Sequence, residues 1–337
     1  VLELPTLYST SSAENFALGA VKIINSLSIV DELSFGSEIG NLKLLSSLSD
    51  LLDTPVINQA IKEFLGLGLS FPNAISKAIA KIAGQEMAQI LGSPNNTLAI
   101  EYISALKKVG CKAVPFTVKR IGAGYNDLGS KDGFVSSTYL RKIFEEGDVR
   151  EIEHYMSIKQ HSVLKEAISQ GYGPCLFKRV ETALLYKLRS MNEFDYKLLP
   201  DVTEGIEKRI YNAVQTSETL EEITKAIKTK RYTMTRIRRI LLYAFLDIEK
   251  RMYIKPPQYV KVLAFNDRGR QILSKLNDKS EIPVLIKPAD INKMPYEAQS
   301  QFEFEKRATD LFALSSPTIR PCGLEYTMSP TYITYEI

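Results

Sequence analysis

Three consecutive hydroxyl residues have the types and spacing to bind a phosphate group. Ser136, Ser137 and Thr138 follow two apolar residues, and a helical pattern begins directly after them. The first turn of a helix carries backbone amides without an internal acceptor, and hydroxyls at the cap add donors. Arg141, one turn further along, could reach the same anion through its planar guanidinium. The alternative is that Ser136 or Ser137 simply caps a surface helix.

A second group of residues, between Ile223 and Leu246, could bind the phosphates of a nucleic acid. This stretch contains no acidic residue. The candidate contacts are seven cations and one aromatic ring: Lys225, Lys228, Lys230, Arg231, Tyr232, Arg236, Arg238 and Arg239. Cationic side chains neutralise phosphates, and an aromatic ring can stack on an unpaired base. The alternative is an ordinary solvated face.

Hydrophobic spacing places the later members of this group on a helix. Its predicted buried stripe consists of Ile237, Ile240, Leu241, Ala244 and Phe245. Thr235 is the predicted cap of this helix. Arg236 and Arg239 should then project from the side opposite the stripe, with Arg238 on a flank.

The first 150 residues alternate strands and helices, which is typical of a parallel sheet with helical crossovers. The strands are predicted at 33–35 and 112–118, and the helices at about 11–26, 38–52, 56–66, 72–91 and from 94 onward. Ligands of such sheets bind beyond the carboxyl ends of the strands. Gly36, Asn95, Arg120, Ile121 and Ser136 all fall at such positions, so we expect them on one rim.

The remaining sequence predicts two further parts. Residues 151–255 read as helical. In residues 256–337, strands at 259–265 and 283–286 flank a helix that Asp267 can cap, and we expect these strands to pair in parallel. A long helix is predicted at 296–314, followed by an extended tail. At the other end of the chain, Leu2–Leu4 should be the end of a buried strand.

Composition excludes several classes of protein. The 337 residues carry a net charge of +4, which by itself does not require an acidic partner. Three cysteines lie far apart and only two histidines occur, so neither a Cys/His zinc cluster nor a disulfide framework is expected. Thiols without a disulfide pattern fit the reducing cytoplasm. No apolar run approaches the roughly 20 residues that span a bilayer.

A set of short motifs follows in a fixed order along almost the whole chain. They are Leu2–Pro5, Tyr8–Thr10, Ser12–Glu14, Ser34–Glu38, Pro94–Tyr102, Gly122–Asn126, Ser136–Arg141, Thr203–Gly205, Thr229–Thr233 and Thr235–Arg239. In this order they resemble the bacterial tRNA(Met) cytidine acetate ligases. The resemblance implies a Rossmann-like nucleotidyltransferase domain at 1–150, a helical tRNA-binding region at 151–255 and a smaller α/β part at 256–337.

The resemblance also implies an activity. Such a ligase uses ATP to activate acetate as acetyl-adenylate, and then acetylates the wobble cytidine of elongator tRNA(Met) to N4-acetylcytidine. Magnesium commonly accompanies ATP in this chemistry, although the sequence suggests no protein ligands for it. The implied ATP contacts are Gly36, Asn95, Arg120, Ile121, Ser136, Ser137, Thr138 and Arg141. The catalytic residues stay unassigned: the loop aspartates Asp127 and Asp132 could act as general bases, but exposed loop aspartates are mostly solvating groups.

One part of the family pattern is missing from this sequence. The family begins with a strand and an Asn-Pro-Phe-His-x-Gly-His-like loop that grips the ATP phosphates, and His154 and His161 do not match it. The first domain is therefore expected to be incomplete at its N-terminus, which argues against adenylation by this sequence alone. Two other functions remain open: a nucleotidyltransferase acting on a small phosphorylated substrate, and a noncatalytic RNA-binding fragment.

Overall fold

Helices predominate in the computed structural model, which describes residues 1–122, 134–146 and 149–334. The α-helices are α1 (Thr6–Ser9), α2 (Ala13–Leu27), α3 (Leu42–Leu52), α4 (Pro55–Gly66), α5 (Phe71–Ala83), α6 (Gln85–Ile90), α7 (Pro94–Val109), α8 (Ser137–Glu146), α9 (Ile158–Ser169), α10 (Glu181–Ser190), α11 (Glu193–Leu198), α12 (Ile206–Thr216), α13 (Leu220–Ile227), α14 (Met234–Leu246), α15 (Asp267–Lys279), α16 (Tyr296–Ala313) and α17 (Leu324–Thr327). The strands are β1 (Glu32–Ser37), β2 (Val114–Lys119), β3 (Val260–Lys261), β4 (Ala264–Phe265), β5 (Val284–Leu285) and β6 (Thr331–Tyr332). Short 3-10 helices span Val149–Tyr155, Phe177–Val180, Lys250–Tyr253 and Pro288–Lys293.

The first sheet is a parallel pair of strands covered by two long helices. β1 and β2 run in register from Glu32 opposite Val114 to Ser37 opposite Lys119, which confirms the predicted parallel pairing. Helices α2 and α7 pack against each other, and Tyr102 of α7 stacks on Phe35 of β1 at 5.6 Å between ring centroids. The two carboxyl strand ends therefore lie side by side at one edge.

Two predictions for this part need correction. The helix predicted at 72–91 is two helices, because Gly84 between α5 and α6 has a φ of 93° and so leaves the helical conformation. Leu2 is not part of a buried strand; it is exposed and makes an isolated antiparallel bridge to Val262. The sequence could not predict Val262 as its partner, because Val262 lies 260 residues further along the chain.

The middle of the chain is a helical core built from α10 to α14. The stripe predicted for α14 is confirmed, since all five of its side chains are buried. The cap of α14 was placed wrongly: Thr233, not Thr235, accepts the amide of Arg236, at 3.4 Å. Thr233 has the extended backbone of a cap residue, whereas Thr235 already lies inside the helix.

The C-terminal part contains the predicted β-α-β unit. β3 and β5 pair in parallel, as expected, and β4 pairs in parallel with β6. Asn266, rather than Asp267, caps α15 by accepting the amide of Gly269 at 3.0 Å. The tail expected to be extended contains the short helix α17.

The C-terminal part contacts the first residues of the chain. Ile23 and Leu27 of α2 share one hydrophobic cluster with Val260 and Leu276. Next to this cluster the buried Lys261 ammonium bridges two carboxylates: Glu325, with which it is in direct contact, and Glu3 at 3.2 Å. The division of the chain into three domains stays a prediction.

Candidate nucleotide and RNA sites

The carboxyl ends of β1 and β2 form an open rim. Gly36 is exposed, and a Cβ atom built there would approach only the carbonyl oxygen of Val118, at 4.0 Å. The amide of Arg120 donates to the carbonyl of Ser37 at 2.9 Å, which continues the strand pairing by one residue. Arg120 and Ile121 are both exposed at this edge. The structure thus brings three of the residues predicted to contact ATP to the same place.

The turn after β1 is held in one shape by polar contacts. The Ser37 hydroxyl lies 2.7 Å from the Thr117 hydroxyl and accepts the amide of Gly40 at 3.0 Å. Gly40 has a φ of 60°, and a Cβ atom there would collide with the Lys119 side chain at 2.5 Å. A side chain at Gly40 would therefore disturb the rim.

Glu38 caps the N-terminus of α7 from this turn. Its carboxylate accepts the Asn96 amide at 2.8 Å, the Asn95 amide at 3.3 Å and the Asn95 side-chain Nδ2 at 2.8 Å. In return the Asn96 side chain accepts the amide of Ile39 at 3.1 Å. Since Ser93 makes no side-chain cap at this helix, Glu38 takes over that role. The helix start thus already holds an anion.

This cap restricts what Asn95 can contact. Because its Nδ2 donates to Glu38, the side-chain oxygen Oδ1 is turned the other way and can accept a hydrogen bond. A ribose hydroxyl can donate to such an oxygen, whereas a phosphate cannot. The nearby Glu38 carboxylate also repels a phosphate. The geometry at Asn95 therefore favours contact with a ribose hydroxyl of ATP over contact with a phosphate.

The start of α8 lies beside the end of β2. Gly122 has a φ of 93°, and a Cβ atom there would meet Phe134 at 2.6 Å, so the two segments are in direct contact. Ser136 is buried, and its hydroxyl accepts the amide of Tyr139 at 3.0 Å. The alternative considered above, that Ser136 caps a helix, therefore describes this hydroxyl.

The remaining residues of the hydroxyl motif face outward. Ser137 and Arg141 are exposed and Thr138 is half-buried. The first intrahelical bond runs from Leu140 to the Ser136 carbonyl at 3.2 Å, so the amides of Ser137 and Thr138 precede it and have no acceptor within the helix. These two amides can receive an anion.

Acidic residues outside the basic stretch pair with several of its cations, although the stretch itself contains no acidic residue. Both Nε and Nη2 of Arg239 donate to Asp201 Oδ2, at 2.9 and 2.7 Å. Arg236 donates to the Asp201 carbonyl at 2.9 Å and to the Thr203 hydroxyl at 2.7 Å. The sequence hid this pairing because Asp201 precedes the two arginines by 35 and 38 positions.

The other members of the stretch have different surroundings. Tyr232 is buried and its hydroxyl donates to the Glu204 carbonyl at 3.0 Å, so its ring is not presented for base stacking. Arg231 lies 3.3 Å from a Glu204 carboxylate oxygen. Lys225 pairs with Glu221 at 2.6 Å, and Lys228 donates to the Tyr232 carbonyl at 3.2 Å.

Arg238 and Lys230 are the most openly presented of these cations. Both are exposed, and no ion pair is recorded for either within the described ranges 1–122, 134–146 and 149–334. We predicted that Arg236 and Arg239 face away from the core and that Arg238 lies on a flank, and this prediction is wrong. Arg238 is the outward residue, and the other two lean toward Asp201.

Several predictions concern residues or groups that the structure does not describe. Asp127 and Asp132 lie outside the described residues, as does most of the Gly122–Asn126 motif. Among the described residues, no three His, Cys, Asp or Glu side chains come together as a metal site. No described helix is long and apolar enough to cross a membrane.

A parallel strand pair with crossover helices and two helix N-termini at its rim is the arrangement found in α/β nucleotide-binding folds. A profile of the HIGH Nucleotidyl Transferase family matches residues 1–323. The tRNA(Met) cytidine acetate ligase of Caldanaerobacter subterraneus is 39% identical over 320 residues, covering 94% of this chain and 79% of that protein. The Clostridium perfringens ligase of the same name is 33% identical, with 98% and 83% covered. The chain belongs to the tRNA(Met) cytidine acetate ligase family, within the HIGH nucleotidyltransferases.

Solved structures agree with this assignment. The apo structure of Thermotoga maritima TmcAL has a TM-score of 0.92 and 27% identity, covering 99% of this chain and 84% of that one. The same protein bound with alpha-thio ATP has a TM-score of 0.89 and 26% identity, with the same coverage. The resemblance found in the sequence motifs is thus confirmed, together with the α/β nucleotidyltransferase fold.

Proposed function

We propose that this protein is an ATP-dependent ligase that activates acetate as acetyl-adenylate and acetylates the wobble cytidine of elongator tRNA(Met). The observation that carries the proposal is the similarity, over 94% of the chain, to a ligase of that name. The rim described above supports it, because it offers two chemically different helix starts to one nucleotide. We also place the protein in the cytoplasm, where its three free cysteines would stay reduced.

ATP would lie across the rim with its ribose toward α7 and its phosphates toward α8. At α7, Asn95 Oδ1 accepts a ribose hydroxyl, while Glu38 keeps phosphates away. At α8, the amides of Ser137 and Thr138 receive phosphate oxygens, and Arg141 adds charge. Ser136 would contribute by capping that helix rather than by touching the ligand.

The exposed β strand ends would complete the nucleotide contacts. Gly36 lets the ligand approach the backbone because no side chain projects there. Arg120 would neutralise a phosphate, and the backbone of Ile121 would contact the adenine edge. The resemblance to the ligase family implies these contacts, and the exposure of the three residues at the rim supports them.

The chemistry requires positioning and charge stabilisation rather than a protein nucleophile. An acetate oxygen attacks the α-phosphorus, the bond to pyrophosphate breaks, and pyrophosphate leaves. The cytidine N4 amine then attacks the acetyl carbonyl, AMP leaves and the amine loses a proton. Cationic side chains and helix amides offset the charge that develops on the phosphoryl oxygens. We also propose that magnesium accompanies the bound ATP, held mainly by the phosphate oxygens, since no three His, Cys, Asp or Glu side chains of the described residues come together to hold it.

The tRNA would lie along the cations of α13, α14 and the turn between them. Lys225, Lys228, Lys230 and Arg238 are exposed and are the direct phosphate contacts that we propose. Arg231 is half-buried, and Arg236 and Arg239 are held by Asp201. Arg236, Arg239 and Tyr232 would contribute indirectly, because their polar groups bind Asp201 and Glu204 within the protein.

The test is a nucleoside analysis of tRNA(Met) after incubation with the protein, ATP and isotope-labelled acetate. We expect labelled N4-acetylcytidine and an equal amount of AMP and pyrophosphate. Adenylate transfer to a small phosphorylated substrate, with no acetylated cytidine formed, would instead indicate a small-substrate nucleotidyltransferase. tRNA retained by the protein without any ATP turnover would identify an RNA-binding protein and overturn the ligase proposal.

A further inference from the structure

The loop between α11 and α12 has an unusual backbone. Asp201 has a φ of 61°, Glu204 of 63° and Gly205 of 81°. Residues other than glycine rarely adopt this left-handed backbone conformation, since it brings Cβ close to the carbonyl oxygen. Two such residues within four positions must be held in place by neighbouring contacts. The short loop, residues 199–205, is hereafter the 199–205 loop.

Two arginines of α14 hold this loop from one side. Arg239 grips the Asp201 carboxylate with two N–H groups at 2.9 and 2.7 Å. Arg236, one turn earlier, donates to the Asp201 carbonyl and to the Thr203 hydroxyl at 2.9 and 2.7 Å. Its guanidinium also lies 3.5 Å from a Glu204 carboxylate oxygen. The carbonyl, hydroxyl and carboxylate groups of the loop are therefore bound to one helix face.

The turn at residues 228–233 holds the loop from the other side. The Tyr232 hydroxyl donates to the Glu204 carbonyl at 3.0 Å, and the Arg236 guanidinium lies over the Tyr232 ring at 5.5 Å. Arg231 lies 3.3 Å from the Glu204 carboxylate. Within the turn, Thr229 accepts the amides of Arg231 and Tyr232 at 3.2 and 3.1 Å. Loop and turn thus fix each other.

We propose that Asp201 and Glu204 are positioning residues for tRNA binding, and that Arg236 and Arg239 act through them rather than by touching phosphate. This inference rests on the proposed function. The turn held by Glu204 carries the exposed Lys230, and the helix that holds Asp201 carries the exposed Arg238. Because both segments are already ordered in the free protein, tRNA binding costs less conformational entropy.

For the replacement of Asp201 we expect the opposite of a purely electrostatic effect on tRNA binding. Removing a carboxylate next to an RNA-binding surface should strengthen binding by electrostatics alone. If Asp201 positions the surface, Asp201→Ala instead weakens tRNA binding by about tenfold. Asp201→Asn should weaken it less, because asparagine keeps the shape and tolerates the left-handed backbone.

The matched control is Glu221→Gln, which removes a carboxylate from the exposed surface of α13. Glu221 contacts Lys225 but not the loop, so this variant should bind tRNA as well as the wild type or slightly better. Arg239→Ala should weaken binding without changing the slope of log affinity against log salt, whereas a lost phosphate contact lowers that slope by about one. Combining Asp201→Ala with Arg239→Ala should cost no more than either change alone.

The experiment measures tRNA(Met) affinity over a series of salt concentrations, with ATP affinity and amide hydrogen exchange of the 199–205 loop as second readouts. Faster exchange in the loop with unchanged ATP affinity is expected in the Asp201 and Arg239 variants. Should Asp201→Ala not fold, Glu204→Gln carries the same comparison. Tighter tRNA binding by the Asp201 or Glu204 variants would overturn this inference but leave the proposed function intact. A wild-type protein that binds no tRNA overturns the inference and the proposed function together.

Discussion

Replacing Glu38 by alanine separates the structural and ligand-binding roles at the start of α7. The change removes all three hydrogen bonds that the carboxylate receives from Asn95 and Asn96. It also removes a negative charge from a helix N-terminus. Because Glu38 is partly exposed, water replaces part of what is lost. We therefore expect the free energy of unfolding to fall by about 2 kcal/mol, less than three separate charge-assisted bonds would give.

The same change should weaken ATP binding through Asn95. Without Glu38, the Asn95 amide is free to rotate, and fixing one such side chain costs about 1 kcal/mol, or about fivefold in affinity. Urea unfolding followed by circular dichroism gives the stability, and titration calorimetry gives the ATP affinity. Glu32→Ala is the control, since Glu32 is an exposed carboxylate at the start of β1, the strand that precedes Glu38, and its replacement should change stability by no more than about 0.5 kcal/mol.

The decisive outcome is the sign of the change in ATP affinity. If the phosphates rather than the ribose lay at α7, removing the carboxylate would relieve repulsion and strengthen binding. Tighter ATP binding by Glu38→Ala would therefore refute the orientation proposed here. An unchanged unfolding free energy would refute the capping role.

Three further predictions concern other parts of the chain. Burial raises the pKa of Glu305 and of Glu101 to about 7 from an ordinary 4.5. The free energy of unfolding should therefore fall by up to about 3 kcal/mol per group as the pH rises from 5 to 8. Glu305→Gln should flatten this pH dependence in urea titrations, and an unchanged pH profile would contradict the prediction. Arg141→Ala should weaken ATP binding by about 1.5–3 kcal/mol in calorimetry if its guanidinium holds a phosphate, and equal affinity would reject that contact. Gly122→Ala should destabilise the protein by about 1–2 kcal/mol, because the left-handed backbone disfavours a side chain and its Cβ would collide with Phe134; a variant of wild-type melting temperature would contradict this packing.

Local patterns in the sequence were enough to predict most elements. Helical spacing located α2 and α14, and proline located the start of α7. The parallel pairing of β1 with β2 followed from the alternation of strands and helices. These features depend on residues a few positions apart, which a single sequence displays directly.

The partners of charged residues could not be predicted in the same way. A stretch without acidic residues looked uncompensated, but Asp201 and Glu204 reach it from another loop. Glu38 stood in a recognised motif, yet its role at α7 depends on a contact across 57 positions. Only the folded chain brings such groups together, so sequence alone overestimated how many cations are free to bind RNA.

The bridge from Lys261 to Glu3, like the other contacts of residues 2–6 with the C-terminal part, affects the order in which the chain can fold. The contact between Thr6 and Glu305 spans 299 positions, and the bridge between Leu2 and Val262 spans 260. Closing such long loops is slow, because the chain loses much entropy before any contact is gained. During synthesis on the ribosome, Leu2, Glu3 and Thr6 must therefore wait until their partners, Val262, Lys261 and Glu305, have emerged. Molecules released early by premature termination would leave Glu3 and the end of α2 uncovered, as a surface that quality-control proteases can recognise.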